Sequence, residues 1–249
     1  MSQRGIQSIE VGGRLLLALA RVGRPMALKD LAQGADMSPA KAHPYLVSFG
    51  KLGLIAQDGA SGHYGLGPLA MQLGLISLQQ FDPIRLATAR LPALAEDVGQ
   101  TVAIAVWGAH GPTIVRTQEA PAPVHVAMRH GAVMSLRGTA SGRLFAAHLA
   151  RSVVRAASGE AGGDKPFDKA FEQALAAIRS AGFSHAVDAA VPGVSGLAAP
   201  VFDGSGALVL SLTAIGATQA FDTRAAGKPA AALRRCAGEL SAQLGAPVA

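Results

Sequence analysis

Ser38-Pro39-Ala40-Lys41-Ala42-His43-Pro44-Tyr45-Leu46 is the stretch on which the reading of the N-terminal quarter turns. A serine hydroxyl accepts an orphan backbone N–H at a helix start, and proline at the first helical position has no N–H to lose. A helix is therefore expected to open here and run to about Leu52. Upstream, Ile9, Leu15, Leu16 and Leu19 recur at helical spacing over residues 6–22, closed by Gly23 and Pro25. Leu28, Leu31 and Ala32 mark a second, short helix, which Gly34-Ala35-Asp36-Met37 breaks just before Ser38. Downstream, residues 54–57 and 63–66 read as short strands joined by Asp58-Gly59-Ala60-Ser61-Gly62, whose glycines suit a hairpin turn. Helix, helix, turn, helix, hairpin is the order of a winged helix-turn-helix, assigned to residues 1–67.

That motif sets the N-terminal residues of its third helix into the major groove of DNA. Here they are Ser38, Ala40, Lys41, His43 and Tyr45, types that bind phosphates and base edges. In the wing, Asp58 would oppose DNA and His63 is the side chain available to approach it, while Arg14, Arg21, Arg24 and Lys29 are further candidates for phosphate contacts. The chain carries a net charge of +6; residues 1–67 hold seven basic and four acidic residues, and residues 68–249 hold fifteen and twelve. Each part is thus +3, so positive density is about threefold higher in the N-terminal quarter. A competing reading, a basic segment that is only a solvated packing module, is disfavoured by the wing that follows. Pro44 lies inside the expected helix, where it removes a hydrogen bond to the Ala40 carbonyl and costs about 3 kcal/mol if unrelieved, so a bend or a late helix start is expected.

Beyond the hairpin, Leu69, Leu73 and Ile76 give a helical pattern without a Gly/Ser-rich tether, read as a stiff linker helix over residues 68–81. A second domain, residues 82–249, mixes a long helix (83–98), strands at 101–107, 113–117 and 124–128, and helices at 139–148 and 167–181. Strands at 183–188, 196–202 and 207–215 follow, then a last helix at 223–244. This is an α+β domain, a curved antiparallel sheet flanked by helices.

Composition narrows the function classes. With 249 residues, half of them apolar and 15% charged, the chain can bury a large core. The uncharged stretch over residues 204–221 is broken by serines, threonines and glycines, so no membrane span is expected there. A single cysteine, Cys236, excludes an intrachain disulfide framework and a Cys-rich zinc site; with no apolar signal core at the N-terminus, a cytoplasmic protein is expected. Gly65-Leu66-Gly67-Pro68-Leu69-Ala70 matches a dinucleotide fingerprint by letter but lacks the acidic residue about 20 positions on. Gly193-Val194-Ser195-Gly196 lacks the second glycine of a nucleophile elbow, and His125 and His130 have no Cys or carboxylate near them in sequence. No catalytic constellation, cofactor or metal site is expected. Gly138-Thr139-Ala140-Ser141-Gly142 is different: it opens a helix with small side chains, leaving first-turn N–H groups and the helix dipole free to meet a carboxylate. Close packing against the sheet would select the same small residues.

The chain resembles the IclR-type transcriptional regulators. The likeness is carried by Ile9-Glu10-Val11-Gly12-Gly13-Arg14-Leu15-Leu16, Leu28-Lys29-Asp30-Leu31-Ala32, Leu52-Gly53-Leu54-Ile55 and Gly62-His63-Tyr64-Gly65-Leu66-Gly67. In the second half it is carried by Arg137-Gly138-Thr139-Ala140-Ser141-Gly142-Arg143 and by residues 192–203. The resemblance implies a regulator that binds double-stranded operator DNA as a homodimer or dimer of dimers, with a GAF-like second domain sensing a small carboxylate. By position, it places the ligand at Ala140, Ser141, Ala186, Gly196, Thr213 and Ile215. Glyoxylate-type sensors of the family carry an acid, a cysteine and paired serines where this chain has Ala186, Gly196, and Thr213 with Ile215, which implies a bulkier, flatter acid. An aromatic carboxylate is expected, its charge on the amides of Ala140 and Ser141 and its ring against Ile215 and Trp107. The alternatives are an enzyme-derived second domain, or one that only dimerises, fused to a DNA-binding module.

Overall fold

The computed structural model describes residues 5–120, 126–158 and 168–246. The chain divides into two compact units, Met1–Phe81 and Asp82–Ala249.

In the first unit, α1 (Gln7–Val22), α2 (Leu28–Gly34) and α3 (Pro39–Leu52) precede β1 (Ile55–Gln57) and β2 (Tyr64–Leu66), and α4 (Pro68–Gln79) follows. Gly23 and Gly53 end α1 and α3 with φ of 68° and 76°, the left-handed conformation that glycine adopts without steric cost. The hairpin pairs Ile55 with Leu66 and Gln57 with Tyr64, and Met26 and Tyr64 exchange two backbone bonds of 2.8 and 2.9 Å. Leu15, Leu19, Leu31, Ala42, Leu46 and Ile55 form the core. Ser38 caps α3 as expected, its hydroxyl accepting the Lys41 N–H at 3.3 Å. The late start expected from Pro44 is corrected: α3 begins at Pro39 and continues through Pro44. The cap and the N-terminal proline fix the start, and the carbonyl that Pro44 orphans belongs to an exposed residue, Ala40, where water can satisfy it. The base of α4 is tied to the wing domain by Leu69 N–H donating to Gly53 O at 2.9 Å.

The second unit contains α5 (Pro83–Thr88), α6 (Leu91–Val98), β3 (Thr101–Gly108), β4 (Gly111–Gln118), α7 (Ala140–His148) and α8 (Arg151–Ser158). It continues with α9 (Lys169–Ala181), β5 (Ser184–Val187), β6 (Val194–Phe202), β7 (Leu208–Ala217) and α10 (Lys228–Gln243). The five strands form one antiparallel sheet in the order β4-β3-β7-β6-β5. Alternation divides its faces: Val102, Ile104, Leu197, Val201, Leu210 and Leu212 pack with residues of α6 and α10, while Ala103, Ala105, Ala186 and Ala198 lie among residues of α7 and α9.

Several boundaries depart from expectation. The helix over 83–98 is two helices, because Pro92 has no N–H to donate to the Thr88 carbonyl, and α6 starts afresh at Leu91 with the proline in its first turn. The strand at 124–128 is absent over 126–128, and residues 124 and 125 lie outside the described residues, as does residue 167. The strand-like pairing occurs instead between Thr113 and Val133. Asp168 caps α9, and α10 begins at Lys228 rather than 223 because the preceding residues form a turn in which Gly227 N–H donates to Arg224 O at 2.9 Å. Among the described residues, no helix is long and apolar enough to cross a membrane.

Candidate functional site

Two sites emerge, one in each unit. At the start of α3, Ser38, Ala40, Lys41 and His43 are exposed, as are Pro44, Val47 and Ser48, which sequence reasoning did not select. The helical recurrence of positions 40, 44 and 47 is the signal that would have found them. Tyr45 does not join this surface. It is half-buried against α1, where a Cβ at Gly12 would lie 2.8 Å from the tyrosine Cδ1, so the ring occupies the space that glycine leaves. In the wing, His63 is half-buried, and the Asp58 carboxylate accepts from the N–H and hydroxyl of Ser61 at 2.7 and 2.6 Å. Those bonds from Ser61 hold the Asp58 carboxyl below its ordinary pKa, so the acid organises the wing tip.

In the second unit a cavity of about 440 Å³ opens between the start of α7 and the sheet. Ala140, Ser141, Ala186, Gly196, Thr213 and Ile215 all line it, so the six positions implied by resemblance converge on one space. Register explains the convergence: Gly196 pairs with both Ala186 and Ile215, and Thr213 lies two residues along the same face of β7. A Cβ at Gly196 would have its nearest neighbour at 3.6 Å, so the missing side chain adds volume to the cavity rather than answering a backbone demand.

The start of α7 separates the two readings of its small residues. Thr139 Oγ1 accepts the Gly142 N–H at 3.0 Å and donates to Ser135 O at 2.8 Å. A Cβ at Gly142 would collide with the Ser135 carbonyl, so this glycine serves packing. The amides of Ala140 and Ser141 precede the first intrahelical bonds and have no partner among the described residues. Ser141 is 1% exposed, and its hydroxyl shares a 2.6 Å bond with that of Thr213, itself 3.3 Å from Ser211 Oγ.

Trp107 is a correction: it is not among the lining residues but packs on Phe145 with ring centroids 5.9 Å apart. Thr101 is the β3 residue that pairs with Ile215, and Trp107 lies six residues further, about 20 Å along the strand. The lining also includes Val126 and Met128 from the stretch expected as a strand, Arg129, Ala132 and Met134 just beyond it, and Val191 from the turn between β5 and β6.

Residues 8–59 match the IclR helix-turn-helix domain, and residues 76–242 match the bacterial transcriptional regulator IclR C-terminal domain. The chain belongs to the IclR family. It is 29% identical over 249 residues to the glycerol operon regulatory protein of Streptomyces coelicolor, covering 98% of both chains. It is 26% identical over 151 residues to the transcriptional repressor IclR of Escherichia coli, 60% of this chain and 55% of that one. Among solved structures, HmgR of Pseudomonas aeruginosa superposes with a TM-score of 0.85 at 33% identity, covering 98% of this chain and all (100%) of that one. An IclR homolog from Microbacterium hydrocarbonoxydans, complexed with 4-hydroxybenzoate, shares the fold with a TM-score of 0.55 at 18% identity over 95% and 98% of the two chains. The protein is thus an IclR-family transcriptional regulator with a DNA-binding helix-turn-helix domain and an effector-binding domain; its matched relatives are regulators, not enzymes.

Proposed function

We propose that this IclR-family regulator senses a small aromatic carboxylate in the α7 cavity. The observation that carries the reading is the meeting, around one cavity of about 440 Å³, of two helix-start amides without a partner among the described residues and a lining of Ala186, Gly196, Ile215 and Val191. The amides and the helix dipole favour an anion, and the apolar walls favour a flat hydrocarbon body over a compact polar acid. The Microbacterium protein of the same fold holds 4-hydroxybenzoate, so the architecture admits an aromatic acid. Calorimetric titration of the full chain with a panel of benzoates and of short keto acids tests this. Binding of benzoates without turnover is expected, whereas tight binding of glyoxylate or pyruvate with indifference to every aromatic acid would overturn it.

Ser38, Ala40, Lys41 and His43, with His63 at the wing, serve as the operator-reading surface in this account, and Tyr45 braces α3 from within. The active form is a homodimer or dimer of dimers. Met71, Leu73, Leu75 and Ile76 on α4 are 69%, 52%, 52% and 42% exposed in the single chain, and a helix apolar around its circumference calls for a covering partner.

A further inference from the structure

The segment that closes the cavity brings a cation with it. Residues 131–134 are pinned along β4: Gly131 N–H donates to Ile114 O at 2.7 Å, Ile114 N–H to Ala132 O at 3.0 Å, and Met134 N–H to Pro112 O at 2.7 Å. Ala132 N–H closes a turn on Arg129 O at 3.2 Å, and on that turn two basic neighbours part company. The imidazole of His130 meets Thr117 Oγ1 at 3.0 Å, whereas Arg129 lines the cavity. Arg129 is the one charged side chain among the described lining residues, and it makes no ion pair with any described residue.

The cavity therefore has two separated electropositive features and no acidic side chain in its described lining. One is the buried floor, where Ala140 and Ser141 are 3% and 1% exposed; the other is Arg129, an exposed residue of the lining. A single carboxylate seated on the floor amides leaves Arg129 to water alone, and one held by Arg129 leaves the buried amides desolvated without an acceptor. A planar guanidinium with a fork of donors suits a second carboxylate, bound through two N–H···O bonds. We infer that the effector carries two anionic groups, one on the α7 amides and the other paired by Arg129. This deepens the aromatic-acid reading and rests on it, because it takes the α7 amides as the seat of the first carboxylate. The alternative is an arginine whose stem covers apolar lining while its head stays in water.

The test is calorimetric titration of the native full chain and of Arg129→Gln with benzoate and with the three benzenedicarboxylates. Because Arg129 is exposed and makes no ion pair among the described residues, the variant is expected to keep the native unfolding temperature. At least one dicarboxylate should bind the native protein about tenfold or more tighter than benzoate, the lower end for a hydrogen bond to a charged group. In Arg129→Gln that advantage should shrink to within about twofold while benzoate affinity holds, since the lost partner touches only the second carboxylate. Benzoate binding as tightly as every dicarboxylate, or a dicarboxylate preference that survives in Arg129→Gln, overturns the inference and leaves the aromatic reading standing. An equal loss of benzoate and dicarboxylates in Arg129→Gln also overturns it, since Arg129 would then hold the only carboxylate. Binding of keto acids alone removes both readings together.

Discussion

The starts of α3 and α7 use the same local chemistry in opposite surroundings. Ser38 accepts the Lys41 N–H at 3.3 Å and Thr139 accepts the Gly142 N–H at 3.0 Å, so each helix is capped by a hydroxyl on its third amide. At α3 the first position is Pro39, which has no N–H, and the surrounding residues are exposed. At α7 the first two positions are Ala140 and Ser141, both buried and both with amides that have no partner among the described residues. An exposed helix start beside Lys41 can add one contact to the many that hold a polyanion, and salt screens it over roughly 8 Å. A buried start acts where the effective dielectric is lower and can therefore hold one small anion by itself. Burial, rather than the capping residue, decides which anion each helix start can serve.

The largest expected effect comes from giving α7 a proline like that of α3. Ser141→Pro deletes one cavity donor at a position that helices tolerate, and effector affinity should fall by about 10- to 150-fold, the worth of a hydrogen bond to a charged group. Operator binding without effector should be retained. Ser141→Ala is the control, since it removes the bond to Thr213 but keeps the amide, and calorimetry should show the smaller loss there. Equal losses in the two variants would assign the effect to the hydroxyl and dissolve the contrast between the helix starts.

Pro44→Ala should have a smaller effect, on the other side of the comparison. Restoring an N–H inside α3 should raise stability by about 1 kcal/mol, less than the ~3 kcal/mol of an unrelieved interior proline, because the freed carbonyl is that of exposed Ala40. Pro44 lies on the surface shared with Ala40, Val47 and Ser48, so operator selection should shift as well. Denaturant unfolding together with selection from an operator library checks both. A more stable variant with unchanged selection would show that the proline lies outside the reading surface.

The first unit was largely legible because its signals are local. Gly23, Ser38, Pro39 and Gly53 each act within a turn of where they stand, and the observed helices end where they direct. Tyr45 was misplaced because the partner of its ring, Gly12, lies on another helix, a distance that helical spacing does not encode. In the second unit, resemblance supplied six positions that line one cavity, and β-sheet register accounts for the four that lie on strands, Ala186, Gly196, Thr213 and Ile215. Trp107 is on the same face of β3 by alternation but is not among the lining residues, because its ring packs on Phe145 six residues along the strand from Thr101, the partner of Ile215. Arg129 and Met134 were missed because the segment that carries them pairs with β4 by only one isolated bridge and a few backbone bonds. The helix α8, eight residues with two arginines, was too short for its periodicity to stand out.

The central claim is that an exposed basic helix start reads DNA while a buried neutral one reads an acid. Footprinting of the native chain and Lys41→Ala on promoter fragments, over a range of salt and with or without a benzoate, measures both at once. The account predicts protection of a near-palindromic site and an affinity that falls steeply with salt. It predicts a salt slope shallower by about one in Lys41→Ala, and protection that changes when the aromatic acid is added. Salt-independent affinity, or equal protection of promoter and random DNA whatever acid is present, would contradict it.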